Sequence, residues 1–100
     1  AQSLSVGAAQ SVTVGADASL TVGGARRAQV AKDDALQVGK NLVIEAGDAI
    51  TFKTGSASIT MKKDGTIVIK GKDITIEGSG KIGVKASSDL VMKGSKIAQN

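Results

Sequence analysis

The side chains that could carry chemistry in this sequence are carboxylates and amines, because its 100 residues include no histidine and no cysteine. The chain therefore lacks the commonest transition-metal ligands and the usual general base near neutral pH. A serine or cysteine nucleophile paired with histidine is excluded for the same reason. The composition predicts a protein that is not an enzyme and has no catalytic residue, no cofactor and no metal site.

The carboxylates Asp33, Asp34, Asp48 and Asp64 fall in segments with turn composition. Aspartate in such places hydrogen-bonds the local backbone. The glycine- and aspartate-rich nonapeptides that bind calcium in some β-helices do not occur in this sequence. We therefore expect these carboxylates to shape turns.

Positive charge is concentrated in the second half of the chain, which carries +5 against −1 for residues 1 to 50. Lysines recur just after short apolar triplets, where they could form ladders that contact anionic lipid. We favour the simpler interpretation that they solvate outward strand positions and deter edge-to-edge aggregation. Nucleic-acid binding is not expected, because one aromatic residue offers no stacking platform. The lysines are Lys53, Lys62, Lys70, Lys85 and Lys93.

An apolar-x-apolar triplet recurs twelve times along the chain and is the main signal in the sequence. The steps between successive first positions are 8, 8, 8, 8, 6, 8, 9, 8, 7, 8 and 8, so the period is eight residues. Residues at i and i+2 share one face of a strand, so each repeat predicts a short strand with one buried face. Ala28 is the one weak member of the set. The other 23 are predicted core residues: Leu4, Val6, Val12, Val14, Leu20, Val22, Val30, Leu36, Val38, Leu42, Ile44, Ile50, Phe52, Ile59, Met61, Ile67, Ile69, Ile74, Ile76, Ile82, Val84, Leu90 and Met92.

Glycine punctuates most repeats, and no segment sustains the 3.6-residue apolar period of a helix. The fold class predicted is therefore all-β. Residues 1–100 are predicted to be a single needle segment, and the absence of an initial methionine indicates a fragment of a longer protein.

Two architectures bury an apolar pair every eight residues. One is a monomeric β-solenoid, which would suit an adhesin stalk or scaffold. The other, which we favour, is an intertwined homotrimeric triangular β-helix, or prism. In it each chain advances one layer per eight-residue repeat, which we call an octad. Small, uniform side chains suit a narrow threefold axis, and no 24-residue super-period distinguishes three faces of one chain. Twelve layers at about 4.8 Å would give a rod of roughly 55 to 60 Å.

Two local features leave alternatives open. Asp64-Gly65 between Ile59 and Ile67 could close a hairpin, but the eight-residue step continues through it, so we favour a corner of the β-helix. At the C-terminal end, Met92 and Ile97 could form an apolar platform for a tip protein, or the chain could simply fray there.

The block from Gly47 to Asn100 resembles the C-terminal β-helical region of VgrG proteins, the spike proteins of type VI secretion systems. The most specific part is residues 54–75, which include Met61-Lys62-Lys63-Asp64-Gly65 and Ile67-Val68-Ile69-Lys70-Gly71-Lys72-Asp73-Ile74. The Leu-x-Val-Gly octads of the first half resemble the same region further upstream.

The resemblance implies a homotrimeric needle that punctures target envelopes, with a PAAR-type tip protein and effectors as partners. It further implies attachment to the tail tube through a preceding part of the protein and transient contact with the target membrane. Localisation would be assembly in the bacterial cytoplasm followed by secretion into a target cell.

Overall fold

The computed structural model describes residues 2–100, and in that range it contains three β-strands and no helix. The strands are β1 (Ala49–Thr54), β2 (Ala57–Lys62) and β3 (Ile67–Lys70). They form one antiparallel sheet in the order β1-β2-β3. The all-β prediction is confirmed at this level. Without a helix, the described chain also has no helical segment that could cross a membrane.

We call the segment Ala49–Lys70 the meander. β1 and β2 alternate apolar with polar or small residues, whereas the first three residues of β3 are all apolar. All three strands are rich in β-branched side chains that suit a pleated surface. Gly55-Ser56 forms the two-residue turn between β1 and β2, because Thr54 pairs with Ala57. Gly55 has φ +54° at the first central position, where this kind of hairpin turn requires glycine.

The turn between β2 and β3 corrects the sequence-based interpretation of residues 59–69, which favoured a β-helix corner over a hairpin. β2 and β3 pair in register, with Ile59 opposite Ile69 and Met61 opposite Ile67. The three-residue loop is closed by two backbone hydrogen bonds: the Lys62 N–H donates to the Thr66 carbonyl at 2.9 Å, and the Gly65 N–H donates to the Lys62 carbonyl at 3.0 Å.

Gly65 has φ +94°, as expected for the glycine of a bulged three-residue loop. The eight-residue step did not distinguish the two alternatives, because a three-residue loop also places successive apolar pairs eight residues apart.

Outside the meander the backbone bends at regular intervals without forming strands. The bends lie at 7–8, 15–16, 23–24, 31–32, 39–40 and 47–48, and again at 72–73, 79–80, 87–88 and 95. The backbone therefore follows the eight-residue period predicted from the side chains, including across the six-residue step between Leu36 and Leu42.

That six-residue step marks a change in where the apolar pair lies within each repeat. Up to Leu36-x-Val38 the pair ends next to the bend, whereas Leu42-x-Ile44 ends three residues before the bend at 47–48. The shift is two residues, an even number, so the pair keeps the same alternation relative to the bend. It coincides with the boundary between two compact units, the first ending at Lys40 and the second spanning Asn41–Asn100.

Candidate assembly surface

The apolar side chains of the meander lie on one side of its sheet. Directly opposed residues in an antiparallel sheet point to the same side. Ile50 opposes Met61, and Phe52 opposes Ile59, which in turn opposes Ile69. Three consecutive repeats thus contribute to one continuous surface, which we call the apolar face. Its members are Ile50, Phe52, Ile59, Met61, Ile67 and Ile69.

The apolar face is uncovered within the chain. Met61 is 39% exposed and Ile67 is 63% exposed, with Phe52 and Ile59 between them. Ile50 is half-buried. None of the charged side chains of the sheet lies on this face, as the alternation of the three strands requires. A continuous, uncharged apolar surface is typical of a protein–protein interface.

The opposite side of the sheet is polar and basic. Ser58 lies between Lys53 and Lys70, and Thr60 lies between Thr51 and Val68. Lys62 shares this side, which we call the basic face. The register therefore places these three lysines on the side opposite the apolar pairs, as the alternation of the sequence predicted.

The other predicted core residues lie outside the three strands, and none of residues 2–100 is buried within the single chain. The two tip-docking candidates are exposed as well, Met92 by 68% and Ile97 by 60%. Their roles in a trimer core and in a tip platform stay predictions. The core residues outside the strands are Leu4, Val6, Val12, Val14, Leu20, Val22, Val30, Leu36, Val38, Leu42, Ile44, Ile74, Ile76, Ile82, Val84, Leu90 and Met92.

The total accessible surface of the chain is far larger than that of a compact monomer. The chain exposes 10982 Å² at a mass of 10.0 kDa. A folded monomer of that mass exposes roughly 5,200 Å². The difference is roughly 5,800 Å² for one chain, and the interfaces of obligate oligomers bury roughly 2,000 to 5,000 Å² or more counted over both partners, so the chain exposes enough surface for such an interface.

Backbone hydrogen bonds are also concentrated in one place. Within residues 2–100, every backbone–backbone hydrogen bond lies between Asp48 and Lys70. Folded domains form about one intramolecular hydrogen bond per residue, mostly between backbone groups. The octads therefore present unpaired peptide groups together with exposed apolar pairs. A strand of another chain could hydrogen-bond the first and cover the second.

The carboxylates contribute to the turns of the meander. Asp64 Oδ1 accepts a hydrogen bond from the Thr66 N–H at 3.0 Å, and this bond lowers the pKa of the Asp64 carboxyl below its usual value. Asp48 Oδ1 lies 3.3 Å from Lys63 Nζ, and the Lys63 N–H donates to the Asp48 carbonyl at 3.0 Å. In the described residues no three carboxylates gather where they could hold a metal ion.

Three exposed valines lie between the two members of an apolar pair and are not among the predicted core residues. Val43 and Val91 are 80% and 70% exposed, and Val68 lies on the basic face between Thr60 and the open edge of β3. The uninterrupted apolar runs around them, such as Leu42-Val43-Ile44, were the available signal.

Comparison with known proteins adds no identification. No protein-family model matches this chain, and no curated protein is similar to it.

Proposed function

We propose that this chain is one strand-contributor to an intertwined homotrimeric triangular β-helix that serves as the structural spike of a type VI secretion apparatus. In this role the rod transmits axial thrust, punctures a target envelope and carries a tip protein or effectors. The trimer is supported mainly by one observation: outside Asp48–Lys70 the octads have neither backbone partners nor cover for their apolar pairs within the chain. The secretion role is supported by the resemblance to VgrG spikes.

Intertwining would supply backbone partners for the octads and would also cover their apolar pairs. Strands of two neighbouring copies would pair with each octad strand, and the apolar pairs of three copies would meet at the axis. Burial of the apolar pairs would then stabilise each layer by roughly 0.8 kcal/mol per methylene group, and the peptide groups of the layer would form hydrogen bonds as well. Unfolding would require the separation of three wrapped chains, so resistance to heat and detergent would be largely kinetic.

The meander shortens the rod that the repeat count predicts. Three of the twelve repeats form the meander's own sheet, which leaves nine to wind as prism layers. At about 4.8 Å per layer the wound part would be roughly 43 Å long.

The proposed partners follow from the resemblance. They are a PAAR-type tip protein, effectors and, through a preceding part of the protein, the tail tube. The target membrane would be contacted transiently during injection, after assembly in the bacterial cytoplasm. Met92 and Ile97, both exposed near the C-terminal end, are the residues proposed to dock the tip.

A monomeric β-solenoid, as in an adhesin stalk, has less support. Such a fold buries its apolar pairs against coils of the same chain. In the described chain, strand pairing is restricted to the meander and no apolar pair is buried.

The trimer is tested by the mass of the purified chain in solution, measured by light scattering coupled to size exclusion. We expect three times 10.0 kDa, and a band that runs as a trimer in SDS unless the sample is boiled. A folded 10.0 kDa monomer would refute the proposed architecture.

The distal role is tested separately by binding of the chain to a PAAR-type tip protein. Ile97→Asp should abolish that binding without changing the mass of the trimer, whereas Lys85→Ser should leave the binding intact. If Ile97→Asp binds the tip as well as the unaltered chain does, the tip platform lies elsewhere.

A further inference from the structure

A rod built from near-identical octads has a register problem. Between Leu4 and Val38 the apolar pairs recur every eight residues, and the bends recur with them. If one chain slips by one octad along its neighbours, apolar pairs still meet apolar pairs and bends still meet bends. Only the layers at the ends lose partners, so the octads alone specify register weakly.

The meander is the segment that a slipped chain could not match. Its strands pair with each other, and its turns of two and three residues differ from the bends of the octads. A chain displaced by eight residues would bring an octad against this sheet. The displaced octad has no three-stranded apolar face to offer.

We propose that the apolar face of the meander is the surface on which three copies of this chain first meet, and that this contact sets their register. Its occupant is the same face of the two other copies, so the inference rests on the trimer proposed above. The meander would act as an assembly nucleus, and the octads on either side would wind afterwards.

The chemistry of the two sides of the sheet favours copies of this chain as the occupant. The apolar face is uncharged, so three of them can approach a common axis without like-charge repulsion. The basic face carries Lys53, Lys62 and Lys70, and three such faces would repel each other. The accessible surface of the chain also exceeds that of a compact monomer by roughly 5,800 Å², which leaves enough area for contacts between copies.

The apolar face is continuous with the octads that follow it. An open groove joins Phe52, Ile59 and Ile69 to Ile74, the first apolar residue of the next repeat. If three apolar faces meet, Ile74 is at the edge of the same contact. The axis of the following octads would then start in the register that the meander has set.

The order of events follows from what each region needs. The meander pairs strands that are adjacent in sequence, and hairpins of this kind form in roughly 1 to 10 μs. The octads gain their backbone partners only from other chains, at a rate that depends on concentration. The meander is therefore the first ordered surface that a newly made chain can present.

The experiment uses the full chain carrying Val84→Cys as a register reporter, since the sequence has no other cysteine. In a trimer that is in register, the three cysteines share a layer and a short thiol cross-linker joins them. In a trimer slipped by one octad, a cysteine faces the layer of Ile76 or Met92 instead. Chains are refolded from denaturant, and trimer formation and cross-linking are both measured.

Three alanine variants are compared in that background. Ile69→Ala truncates the apolar face. Ile76→Ala makes the same change in an octad, at the second position of its triplet, and Val68→Ala truncates a neighbouring side chain on the basic face. Alanine is chosen because it leaves the backbone pairing of β3 possible.

For Ile69→Ala we expect trimer formation to slow about tenfold or more, and the cross-linked fraction to fall about threefold or more. Val68→Ala should stay within about twofold of the parent, and Ile76→Ala should slow trimer formation and lower the cross-linked fraction less than Ile69→Ala does. A variant Ile69→Ala that stays monomeric while Ile76→Ala forms cross-linked trimers would also support the proposal.

Equal effects of Ile69→Ala and Ile76→Ala, or no effect of Ile69→Ala, would overturn the proposed nucleus and leave the trimer standing. A parent chain that is itself monomeric would instead refute the trimer.

Discussion

The meander and the octads contain the same apolar-x-apolar triplet, but the triplets pair with each other only in the meander. In the meander, successive triplets face each other within one chain, with Ile59 opposite Ile69. In the octads, successive triplets are separated by bends and have no backbone partner within the described chain. One sequence pattern therefore produces a sheet in one region and segments without strand pairing in the other.

The difference lies in the connections. Gly55 and Gly65 have positive φ and reverse the chain within two or three residues, which returns the next strand alongside the previous one. The bend at 15–16 only redirects the chain, and no residue of the first unit has positive φ within its described part. Turn geometry, more than hydrophobicity, decides whether a triplet finds its partner in its own chain.

The largest expected effect comes from a charge in an octad. Val84→Asp would place three carboxylates around the axis of the proposed trimer, a cost of several kcal/mol that nothing nearby offsets. We expect complete loss of trimers by light scattering at micromolar concentration. In the resulting monomer, residual strand pairing measured by NMR should be confined to Asp48–Lys70.

Lys70→Ser is the control for that variant, because Lys70 lies on the basic face and its loss should leave the trimer intact. Trimers that survive Val84→Asp would mean that Val84 does not face the axis, and the inward positions of the following octads would need to move by one residue.

A smaller effect is expected from the turn of the meander. Gly65→Ala forces an L-residue to φ +94°, which costs about 1–2 kcal/mol. The expected result is faster hydrogen exchange at the backbone amides of positions 62 and 65, which close the loop. The matched control is Gly83→Ala, since Gly83 has no positive φ and open space where the Cβ would lie. Equal acceleration in both variants would show that the loop does not hold the hairpin.

The sequence predicted the fold class, the eight-residue period and the sides on which Lys53 and Lys70 lie, because alternation along a strand is a local property. It did not predict the hairpin at Asp64-Gly65. A corner and a three-residue loop both advance the apolar pair by eight residues, so the period contained no information about the direction of the next strand.

The nine-residue step from Ile50 to Ile59 indicates the first hairpin, between β1 and β2, more clearly than the Asp64-Gly65 dipeptide indicates the second. For Ile50 and Phe52 to face Met61 and Ile59 across a two-residue turn, an odd step is required. An eight-residue step requires a loop with an odd number of residues, such as the three-residue loop between β2 and β3. The uncovered apolar face could be anticipated only as a pattern, since a single sequence shows which side is apolar but not which chain covers it.

The Asp64 carboxylate should make a measurable but smaller contribution to the stability of the folded chain. Its hydrogen bond from the Thr66 N–H lowers its pKa in the folded chain, so the stabilisation is present above the unfolded pKa of about 3.9 and is lost as the pH falls through the lower folded value. An NMR titration should place the Asp64 midpoint lower in the native chain than in urea. Identical midpoints would contradict the turn hydrogen bond, and Asp64→Asn should remove the titration from the Thr66 amide.

The smallest effect should come from the ion pair between Asp48 and Lys63. The two atoms are 3.3 Å apart, but the side chains are 91% and 73% exposed, so solvent screens the attraction. Exposed pairs of this kind contribute about 0.2–1 kcal/mol and often nothing measurable. Lys63→Ser should therefore shift the thermal midpoint by no more than a few degrees, and added salt should reduce that shift further. The backbone bond from the Lys63 N–H to the Asp48 carbonyl survives the substitution, so a large loss of stability would mean that the lysine side chain is needed where three copies meet.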